Sequence, residues 1–383
     1  MHIATLDLRD FRLYEQLHLD LSAGLTVIIG PNASGKTSIL EAMHVLATTK
    51  SPRNHQDRRL VRYGAPYARL EGRFVSAGSQ STSVAALLPG QSRADADDAV
   101  TAKQVKLDGR AIQSLSEIVG RVPLVMFSAE DLAIVKGAPG HRRRFLNLAL
   151  AQLRPRYLDD LQRYRRALSQ RNQLLKLIRH GRARADDLQP WDGPLIDAGA
   201  ALAADRRDLL DTLTDIASQV HSRLTDGAEQ LTLRYHGDLS EADDSDAACL
   251  RMTELLERSL EGDIERGFTI SGPHRDDFDI LADGKSLRLY GSQGQQRTAA
   301  LSLKLAEAQV AAAWCSEPPL LLLDDCLSEL DDTRAARVLE LADCQQGLIV
   351  TSPTLGSVLA GRTDACFVHL RAGHVERVTT GPG

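Results

Sequence analysis

The feature that most limits what this chain can fold into is an eight-residue segment, GPNASGKT at residues 30–37. Leu25–Ile29 before it is short, apolar and rich in β-branched residues, which predicts a buried strand. Ser38–Leu46 after it has apolar residues at helical spacing, which predicts a helix. A strand, a loop of the pattern G-x-x-x-x-G-K-[ST] and a helix, in this order, are typical of a P-loop. The segment therefore predicts a site for the phosphates of a nucleotide.

Each residue type in the loop suits that role. Gly30 and Gly35 let the backbone bend until its N–H groups point at oxygen anions, and the following helix adds the positive end of its dipole. Lys36 supplies a point charge for the β- and γ-phosphates, and the Thr37 hydroxyl can ligate Mg²⁺. The predicted nucleotide-binding residues are Gly30, Pro31, Asn32, Ala33, Ser34, Gly35, Lys36 and Thr37.

A second segment, PPLLLLDDCLSELDD, supplies the other half of the predicted site. Leu320–Leu323 predict an apolar strand, and Asp324 at its C-terminal end is placed to hold Mg²⁺ directly or through water. A second carboxylate at Asp325 can orient the attacking water or accept its proton. Lys36 and Asp325 are thus the predicted catalytic residues, and Thr37 and Asp324 the predicted metal ligands. The alternative for two acids after a strand is a helix N-cap.

The wide separation of the two motifs suggests the arrangement of an ABC ATPase. That class needs a third element, a signature that opens a helix, and the segment YGSQGQQRTAALSLKLAEAQ has the required position. Its predicted signature residues are Ser292, Gln293, Gly294 and Gln295, where a hydroxyl and amides can meet a phosphate at the helix dipole. Because the P-loop already holds the ATP of its own subunit, the signature makes most sense across a homodimer, facing the partner's ATP. The alternative is a capped turn.

Composition and pattern indicate a soluble protein of two domains, or of one domain with a large insertion. The chain has 383 residues, is 43% hydrophobic and 25% charged, and carries a formal net charge of −5. No apolar run approaches the roughly 20 residues of a membrane span. The five cysteines form no C-x-x-C pair and no metal spacing, and the N-terminus does not resemble a signal peptide, so we expect a cytoplasmic protein.

Along the chain we predict strands within 1–30, a polar surface loop at 76–98, a mainly helical region at 130–237, and alternating helices and strands from 294 to 351. The alternation is typical of a parallel sheet. The expected fold class is α/β: an ABC-type ATPase head that combines a P-loop parallel sheet with antiparallel strands. We expect the head at 1–129 and 238–383, an inserted α-helical lobe at 130–237, and no long coiled coil.

The helical region carries a local surplus of positive charge. Between His141 and Ala185 there are thirteen Lys/Arg and two Asp. Arginines opposite an apolar stripe suit sequence-neutral contact with the phosphates of duplex DNA, and Arg142, Arg143 and Arg144 are the named candidates. The alternative is a solvated helical face that pairs with the acidic stretch at 241–265.

Taken together, these segments resemble the RecF family, bacterial recombination mediators related to the SMC-type ABC ATPases. The resemblance covers most of the chain and is most specific in SGPHRDDFDI at 271–280 and in the signature segment. It implies ATP-driven dimerisation, weak ATPase activity stimulated by DNA, and binding at junctions of single- and double-stranded DNA. It also implies RecR and RecO as partners in loading RecA at gapped or stalled DNA.

The resemblance also implies roles for several further residues. Ser328–Asp331 match the loop that reads the dimer interface, and Thr351 and Ser352 occupy the place of the transporters' switch histidine. A Q-loop glutamine is sought within Phe127–Asp131 without a convincing match. Arg12 matches a basic residue near the nucleotide, although a surface arginine at a strand end is the alternative. His274 and Arg275 are interface candidates, or part of a turn.

Two other functions fit parts of the pattern. An ABC transporter's ATPase subunit would share the P-loop and acidic strand, but this signature, the helical insertion and the missing switch histidine disfavour it. An SMC-like structural head would need coiled coils of hundreds of residues, and the insertion allows only a short hairpin.

Overall fold

The computed structural model describes residues 1–54, 56–90, 100, 102–240, 242, 244–315, 317–328, 330–342 and 347–381. Its strands are β1 (His2–Phe11), β2 (Tyr14–Asp20), β3 (Gly24–Ile29), β4 (Tyr67–Val75), β5 (Ser81–Pro89), β6 (Gln104–Leu107), β7 (Arg110–Ala111), β8 (Leu124–Phe127), β9 (Leu231–His236), β10 (Asp277–Ala282), β11 (Lys285–Ser286), β12 (Leu320–Asp324), β13 (Gly347–Ser352), β14 (Cys366–Arg371) and β15 (His374–Thr380).

The α-helices are α1 (Lys36–Thr48), α2 (Leu132–Lys136), α3 (Pro139–Leu153), α4 (Pro155–Arg179), α5 (Gln189–Leu224), α6 (Ser245–Arg266), α7 (Leu287–Tyr290), α8 (Gln293–Trp314), α9 (Asp332–Ala342) and α10 (Ser357–Ala360). The chain divides into two compact units. The first contains Met1–Leu132, Arg223–Gly227 and Leu301–Gly383, and the second contains Ala133–Ser222 and Ala228–Ala300.

The first unit contains two six-stranded sheets. One is antiparallel, in the order β2-β1-β4-β5-β6-β7; the other has the order β15-β14-β3-β13-β12-β8 and is parallel except for β15. Helix α1 contacts β4 and β5 of the first sheet and β8 and β12 of the second. Gly72 on β4 permits the close approach, because a Cβ there would lie 2.9 Å from a methyl group of Leu46 on α1. The core of this unit therefore surrounds the helix that follows the P-loop.

The parallel sheet confirms the predicted alternation in the last third of the chain. Leu320–Leu323 are fully buried because a parallel strand covered on both faces needs apolar side chains throughout. Strand β13 lies between the P-loop strand β3 and the acidic strand β12, and it pairs with both in parallel. This order brings the carboxyl ends of three strands to one edge of the sheet, where sites of α/β proteins form.

The prediction of a surface loop at 76–98 was wrong for residues 81–89, which form β5. Val84, Ala86 and Leu88 alternate along this strand and are buried, while the residues between them are not. The period-2 pattern of a half-buried strand is therefore present in the sequence. Polar residues on both sides of it obscured the signal. Positions 91–99 lie outside the described residues.

The second unit consists mainly of helices α3 to α6, of which α3, α4 and α5 lie within the region 130–237 that was predicted to be mainly helical. Helix α4 begins at Pro155 and ends before Gly181, which has φ 69°, and these are the positions at which proline and glycine are favoured. The unit also contains an antiparallel sheet in the order β11-β10-β9. This unit runs as far as Ala300, and the pairing of β9 with β10 joins residues on both sides of position 237. The expected lobe boundary at 237 therefore lies inside it.

Candidate nucleotide site

The P-loop joins β3 to α1 and cannot accept larger residues at its two glycines. A Cβ on Gly30 would lie 2.5 Å from the Leu370 carbonyl oxygen and 2.7 Å from the Ser34 hydroxyl oxygen. Gly35 has φ 107°, and a Cβ there would collide with the hydroxyl group of Tyr14. The loop backbone is thus enclosed by neighbouring groups and fixed in a conformation that leads directly into the helix.

Lys36 is buried, with its ammonium group inside the loop. Its Nζ donates to the carbonyl oxygens of Gly30 at 2.6 Å and Pro31 at 3.1 Å. Burial lowers the pKa of Lys36, while the carboxylates of Asp325 and Asp324 oppose that shift. The side chain that should meet the phosphates is therefore held by the first residues of the same loop.

The carboxylate of Asp324 connects the acidic strand to the P-loop. Its Oδ1 accepts a hydrogen bond from Thr37 Oγ1 at 3.0 Å and another from Thr351 Oγ1 at 2.8 Å. Burial raises the pKa of Asp324, and the two hydroxyl donors act in the opposite direction. The structure thus brings both predicted metal ligands into direct contact, although they lie far apart in the sequence.

Two buried polar atoms, one on the P-loop and one on the residue after Asp324, indicate whether the site fits a phosphate and a cation. Asp325 Oδ1 and Ser34 Oγ are both buried, and neither has a hydrogen-bond partner among the described residues. Asp325 also has φ 50°, a left-handed conformation that is uncommon outside glycine and that concentrates at functional sites. Buried polar groups are normally satisfied, so unpaired acceptor and hydroxyl atoms beside a P-loop fit a ligand that supplies the missing bonds.

The signature segment belongs to the second unit, and its residues cap helix α8. Ser292 Oγ accepts a hydrogen bond from Gln295 N at 3.2 Å, while Ser292 N donates to Gln295 Oε1 at 2.8 Å. Gln295 Nε2 also donates to Glu229 Oε1 at 2.9 Å. These reciprocal bonds form a capping box. Ser292, Gln293 and Gly294 are nevertheless exposed, so the cap leaves the start of the helix open to a ligand.

Arg142 does not fit its predicted role as a DNA contact. Its guanidinium group is buried and donates to both carboxylate oxygens of Asp277, at 2.6 and 2.8 Å. It also donates to the carbonyl oxygens of Ile134 at 3.2 Å and Gly137 at 3.0 Å. Every one of these contacts lies within the second unit, so Arg142 stabilises the fold and is not available to a phosphate backbone.

The rest of the basic stretch divides into partly engaged and exposed arginines. Arg143 is half-buried and donates to the Asp276 carbonyl oxygen at 2.9 Å, and Arg144 is also half-buried. Arg171 is buried against Asp263 at 2.6 Å, which matches the alternative of pairing with the acidic stretch at 241–265. The exposed basic residues of α4 and the following turn are Arg156, Arg163, Arg165, Arg166, Lys176, Arg179, Arg182 and Arg184.

The SGPHRDD segment forms a turn held by contacts inside the second unit. His274 Nε2 donates to the Thr269 carbonyl oxygen at 3.0 Å, which leaves Nδ1 to accept from the Tyr164 hydroxyl at 2.6 Å. Burial lowers the pKa of His274, in agreement with a neutral ring. Arg275 is exposed and lies 5.5 Å over the ring of Phe268. The imidazole is thus engaged inside the unit, and only Arg275 stays open as an interface candidate.

Arg12 is tied to the P-loop helix. Its Nε and Nη2 donate to the two carboxylate oxygens of Glu41 on α1, each at 2.7 Å, and its Nη1 donates to the Arg59 carbonyl oxygen at 3.0 Å. Glu41 is buried and also accepts from Ser51 Oγ at 2.5 Å. The guanidinium group therefore anchors the turn between β1 and β2 to the helix that begins in the loop.

The two loops expected from the family resemblance show mainly local contacts. Within Phe127–Asp131, Ser128 N donates to Asp131 Oδ2 at 2.7 Å in a capping box. After the acidic strand, Ser328 Oγ donates to the Asp325 carbonyl oxygen at 3.1 Å. Residue 329 of the predicted dimer-interface loop lies outside the described residues. The Q-loop glutamine has no counterpart in the first segment.

The sequence analysis did not predict that Tyr14 lies at this site, or that Thr351 donates a hydrogen bond to Asp324. Tyr14 is buried beside Gly35, and its hydroxyl oxygen has no hydrogen-bond partner among the described residues. Its position follows only from the turn between two strands of another sheet. The available signal for Thr351 was its position at the carboxyl end of an apolar strand. That strand lies beside the strand that ends in Asp324.

Fold and site together define a P-loop ATPase of the ABC type. A family model described as the RecF/RecN/SMC N terminal domain matches residues 2–360. The chain is 39% identical to the DNA replication and repair protein RecF of Roseiflexus castenholzii, over 98% of this chain and 99% of that protein. It is also 39% identical to the RecF of Bacillus subtilis, over 94% of each chain. The chain therefore belongs to the RecF family of DNA replication and repair proteins.

Solved structures agree with this assignment. A structure of the recombination mediator protein RecF with ATP, in the RecFOR pathway, superposes with a TM-score of 0.88 at 30% identity and covers 99% of this chain and 98% of that one. An SMC head bound to a domain of ScpA shares the fold at a TM-score of 0.56 and 16% identity. Relatives of this kind do not favour the transporter alternative. Of the helices that the structure describes, none combines the length and apolar character needed to cross a membrane.

Proposed function

We propose that this chain is a DNA-stimulated ATPase of recombinational repair that forms a homodimeric clamp on DNA when ATP is bound. One observation carries the proposal: a carboxylate on the acidic strand holds the P-loop threonine at 3.0 Å, beside buried polar atoms that have no partner among the described residues. The relatives named as DNA replication and repair proteins support the biological setting. Weak turnover suits a clamp, because slow hydrolysis sets how long the dimer persists.

Within one subunit, the P-loop amides and Lys36 bind the triphosphate, and Thr37 and Asp324 hold Mg²⁺. The metal supplies charge neutralisation to the phosphate oxygens when it is bound. Asp325 orients the attacking water and accepts its proton, a role that fits a carboxylate oxygen with no partner among the described residues. Lys36, already held inside the loop, stabilises the charge that develops on the phosphates.

The signature of one subunit completes the site of the other. Ser292 is exposed at the N-terminus of a 22-residue helix, where the dipole and free amides favour an anion. An ATP already held by its own P-loop has its γ-phosphate available to a second surface. ATP is therefore the link between two copies, and hydrolysis releases it.

DNA contact is assigned to the exposed arginines of α4, as sequence-neutral binding to duplex phosphates near junctions with single strands. RecR and RecO are the proposed protein partners, because solved relatives are described within the RecFOR pathway. With these partners the clamp would help to load RecA at gapped or stalled DNA. The proposed setting is the cytoplasm, at the nucleoid.

Sedimentation with ATP and Mg²⁺ tests the dimer, using Ser292→Arg. ATP should still bind each monomer, because the substitution leaves the P-loop unchanged. Dimerisation and hydrolysis should fail, because the added cation would face the partner's phosphate-binding lysine. Ser245→Arg is the matched control, because Ser245 is also exposed at the start of a helix, α6. A normal ATP-dependent dimer in Ser292→Arg would contradict the arrangement in trans and leave the signature as a helix cap.

A further inference from the structure

Thr351 lies at the end of β13, between the two strands that carry the nucleotide site. It pairs with Asp324 on β12 and with Ile28 on β3, and its side chain is fully buried. The next residue, Ser352, accepts a hydrogen bond through its carbonyl oxygen from Gly30 N at 3.3 Å. The end of β13 thus contacts both the first glycine of the P-loop and the acids of the neighbouring strand.

The Thr351 hydroxyl group donates one hydrogen bond and accepts another. It donates its only proton to Asp324 Oδ1 at 2.8 Å and accepts from the backbone N–H of Asp325 at 2.9 Å. A hydroxyl has one donor and two acceptor lone pairs, so both bonds can form at the same time. The side chain of one acid and the main chain of the next are therefore fixed by a single oxygen atom.

This bridge acts at the point where the backbone is unusual. Asp325 has φ 50°, a conformation that a non-glycine residue keeps only when its surroundings impose it. The hydrogen bond from the Asp325 amide to the Thr351 hydroxyl is one contact that holds this conformation. The same residue directs a buried carboxylate oxygen, Oδ1, which has no hydrogen-bond partner among the described residues.

We propose that Thr351 is a positioning residue for hydrolysis, which orients Asp324 toward the metal and Asp325 toward the attacking water. The inference rests on the proposed ATPase function and extends it to a residue outside the P-loop, acidic strand and signature. The Thr351 side chain is fully buried and its hydroxyl bonds both acids, so its assigned role is to act through them. Removing a group that hydrogen-bonds to a metal ligand and orients it typically lowers metal affinity or activity by about 10–100-fold.

The test compares Thr351→Val, which keeps the shape but removes the hydroxyl, with Thr351→Ser, which keeps the hydroxyl. ATP affinity in EDTA should stay within about threefold of wild type in both variants, because the P-loop is unchanged. In Thr351→Val, kcat should fall by roughly 10–100-fold, and the gain in ATP affinity on adding Mg²⁺ should shrink. Because turnover is slow, KM approaches the dissociation constant and should rise by the same factor as that loss of affinity. Thr351→Ser should restore both quantities to within about threefold.

Thr253→Val is the matched control. Within the part of the chain that the structure describes, its hydroxyl bonds only the Cys249 carbonyl oxygen of its own helix, at 2.9 Å, so both readouts should stay at wild-type values. Should Thr351→Val fail to fold, Thr351→Cys replaces it, because a thiol donates and accepts only weak hydrogen bonds. Its kcat should then fall at least about tenfold.

Three outcomes would overturn the inference. One is a folded Thr351→Val or Thr351→Cys with wild-type kcat, and another is an unchanged effect of Mg²⁺ on ATP affinity in that variant. The third is equal loss in Thr351→Ser and Thr351→Val, which would indicate a packing role. Failure of the proposed function is distinguishable, since the wild-type protein itself would then show no ATP turnover.

Discussion

Replacement of Arg142 by alanine should destabilise the protein and leave DNA affinity per folded molecule unchanged. The substitution removes two charged hydrogen bonds to Asp277, at 2.6 and 2.8 Å, and two donors to backbone carbonyl oxygens. Breaking a buried ion pair by deleting one partner costs about 3–5 kcal/mol. The Asp277 side chain is 25% exposed and can regain some water, which places the loss at the lower end, about 3 kcal/mol.

Urea unfolding measures this loss, and Arg251→Ala is its control. Arg251 is exposed on α6 and pairs with Glu254 at 3.4 Å, a surface pair whose removal should cost below about 1 kcal/mol. DNA binding is then titrated over a salt series with each folded variant. The plot of log K against log salt should keep the wild-type slope in both, because neither arginine is assigned to a phosphate.

A second substitution separates the charge effect from lost packing. With Asp277→Asn added to Arg142→Ala, the stranded group carries no charge, so part of the lost stability should return. The reasoning is refuted if Arg142→Ala unfolds at the wild-type urea concentration and its salt slope is smaller. That result would mean that the guanidinium group leaves Asp277 in solution and contacts DNA.

Other variants test the nucleotide site and the exposed basic face. Lys36→Ala should abolish high-affinity ATP binding, and an equilibrium titration with wild-type affinity would remove Lys36 from the site. Asp325→Asn should bind ATP and Mg²⁺ and accumulate as dimer during sedimentation, because an amide cannot accept the proton; hydrolysis at the wild-type rate would place the base elsewhere. Replacing Arg163, Arg165 and Arg166 together by alanine should weaken DNA binding for all sequences and reduce the salt slope by up to about 2.7, whereas an unchanged slope would exclude this face.

The candidate nucleotide site was predictable from the sequence because each of its two halves is a local pattern. A P-loop needs glycines, lysine and threonine at fixed spacing between a strand and a helix, and the structure has β3 and α1 in those places. The acidic strand is equally local, as four buried leucines followed by Asp324. Their meeting in space follows from the rule that parallel strands place their carboxyl ends at one edge.

The roles of individual arginines were harder to predict, although a signal was present. Arg142 shares the buried face of α3 with Phe145, Leu146 and Ala149, at the spacing of three, four and seven residues that defines one side of a helix. Reading HRRRF as three equivalent cations ignored this periodicity. The partner, Asp277, lies on a strand 135 residues later, and no local pattern identifies it.

Three arginine–aspartate pairs within the second unit connect helices α3, α4 and α5 to one segment of the chain. Arg142 of α3 pairs with Asp277 at 2.6 Å, Arg171 of α4 with Asp263 at 2.6 Å, and Arg206 of α5 with Asp276 at 3.5 Å. One segment, 263–277, thus receives a charge from each of three helices. A buried pair gives little net stability over apolar packing, but a helix that slips out of register leaves an uncompensated charge. The three aspartates therefore hold the register of helices α3, α4 and α5 in the second unit.

The same pairs decide where a DNA backbone could bind in this unit. Arg142 and Arg171 are neutralised and buried, and Arg154 pairs with Asp205 and Asp208 of α5. The positive surplus counted from the sequence is accordingly smaller on the surface, and it shifts away from α3. Exposed cations remain along α4, including Arg165 and Arg166, and in the turn after it. Phosphate contacts should therefore follow one face of α4 and that turn, so that the salt dependence of binding responds to substitutions there and not to those at Arg142.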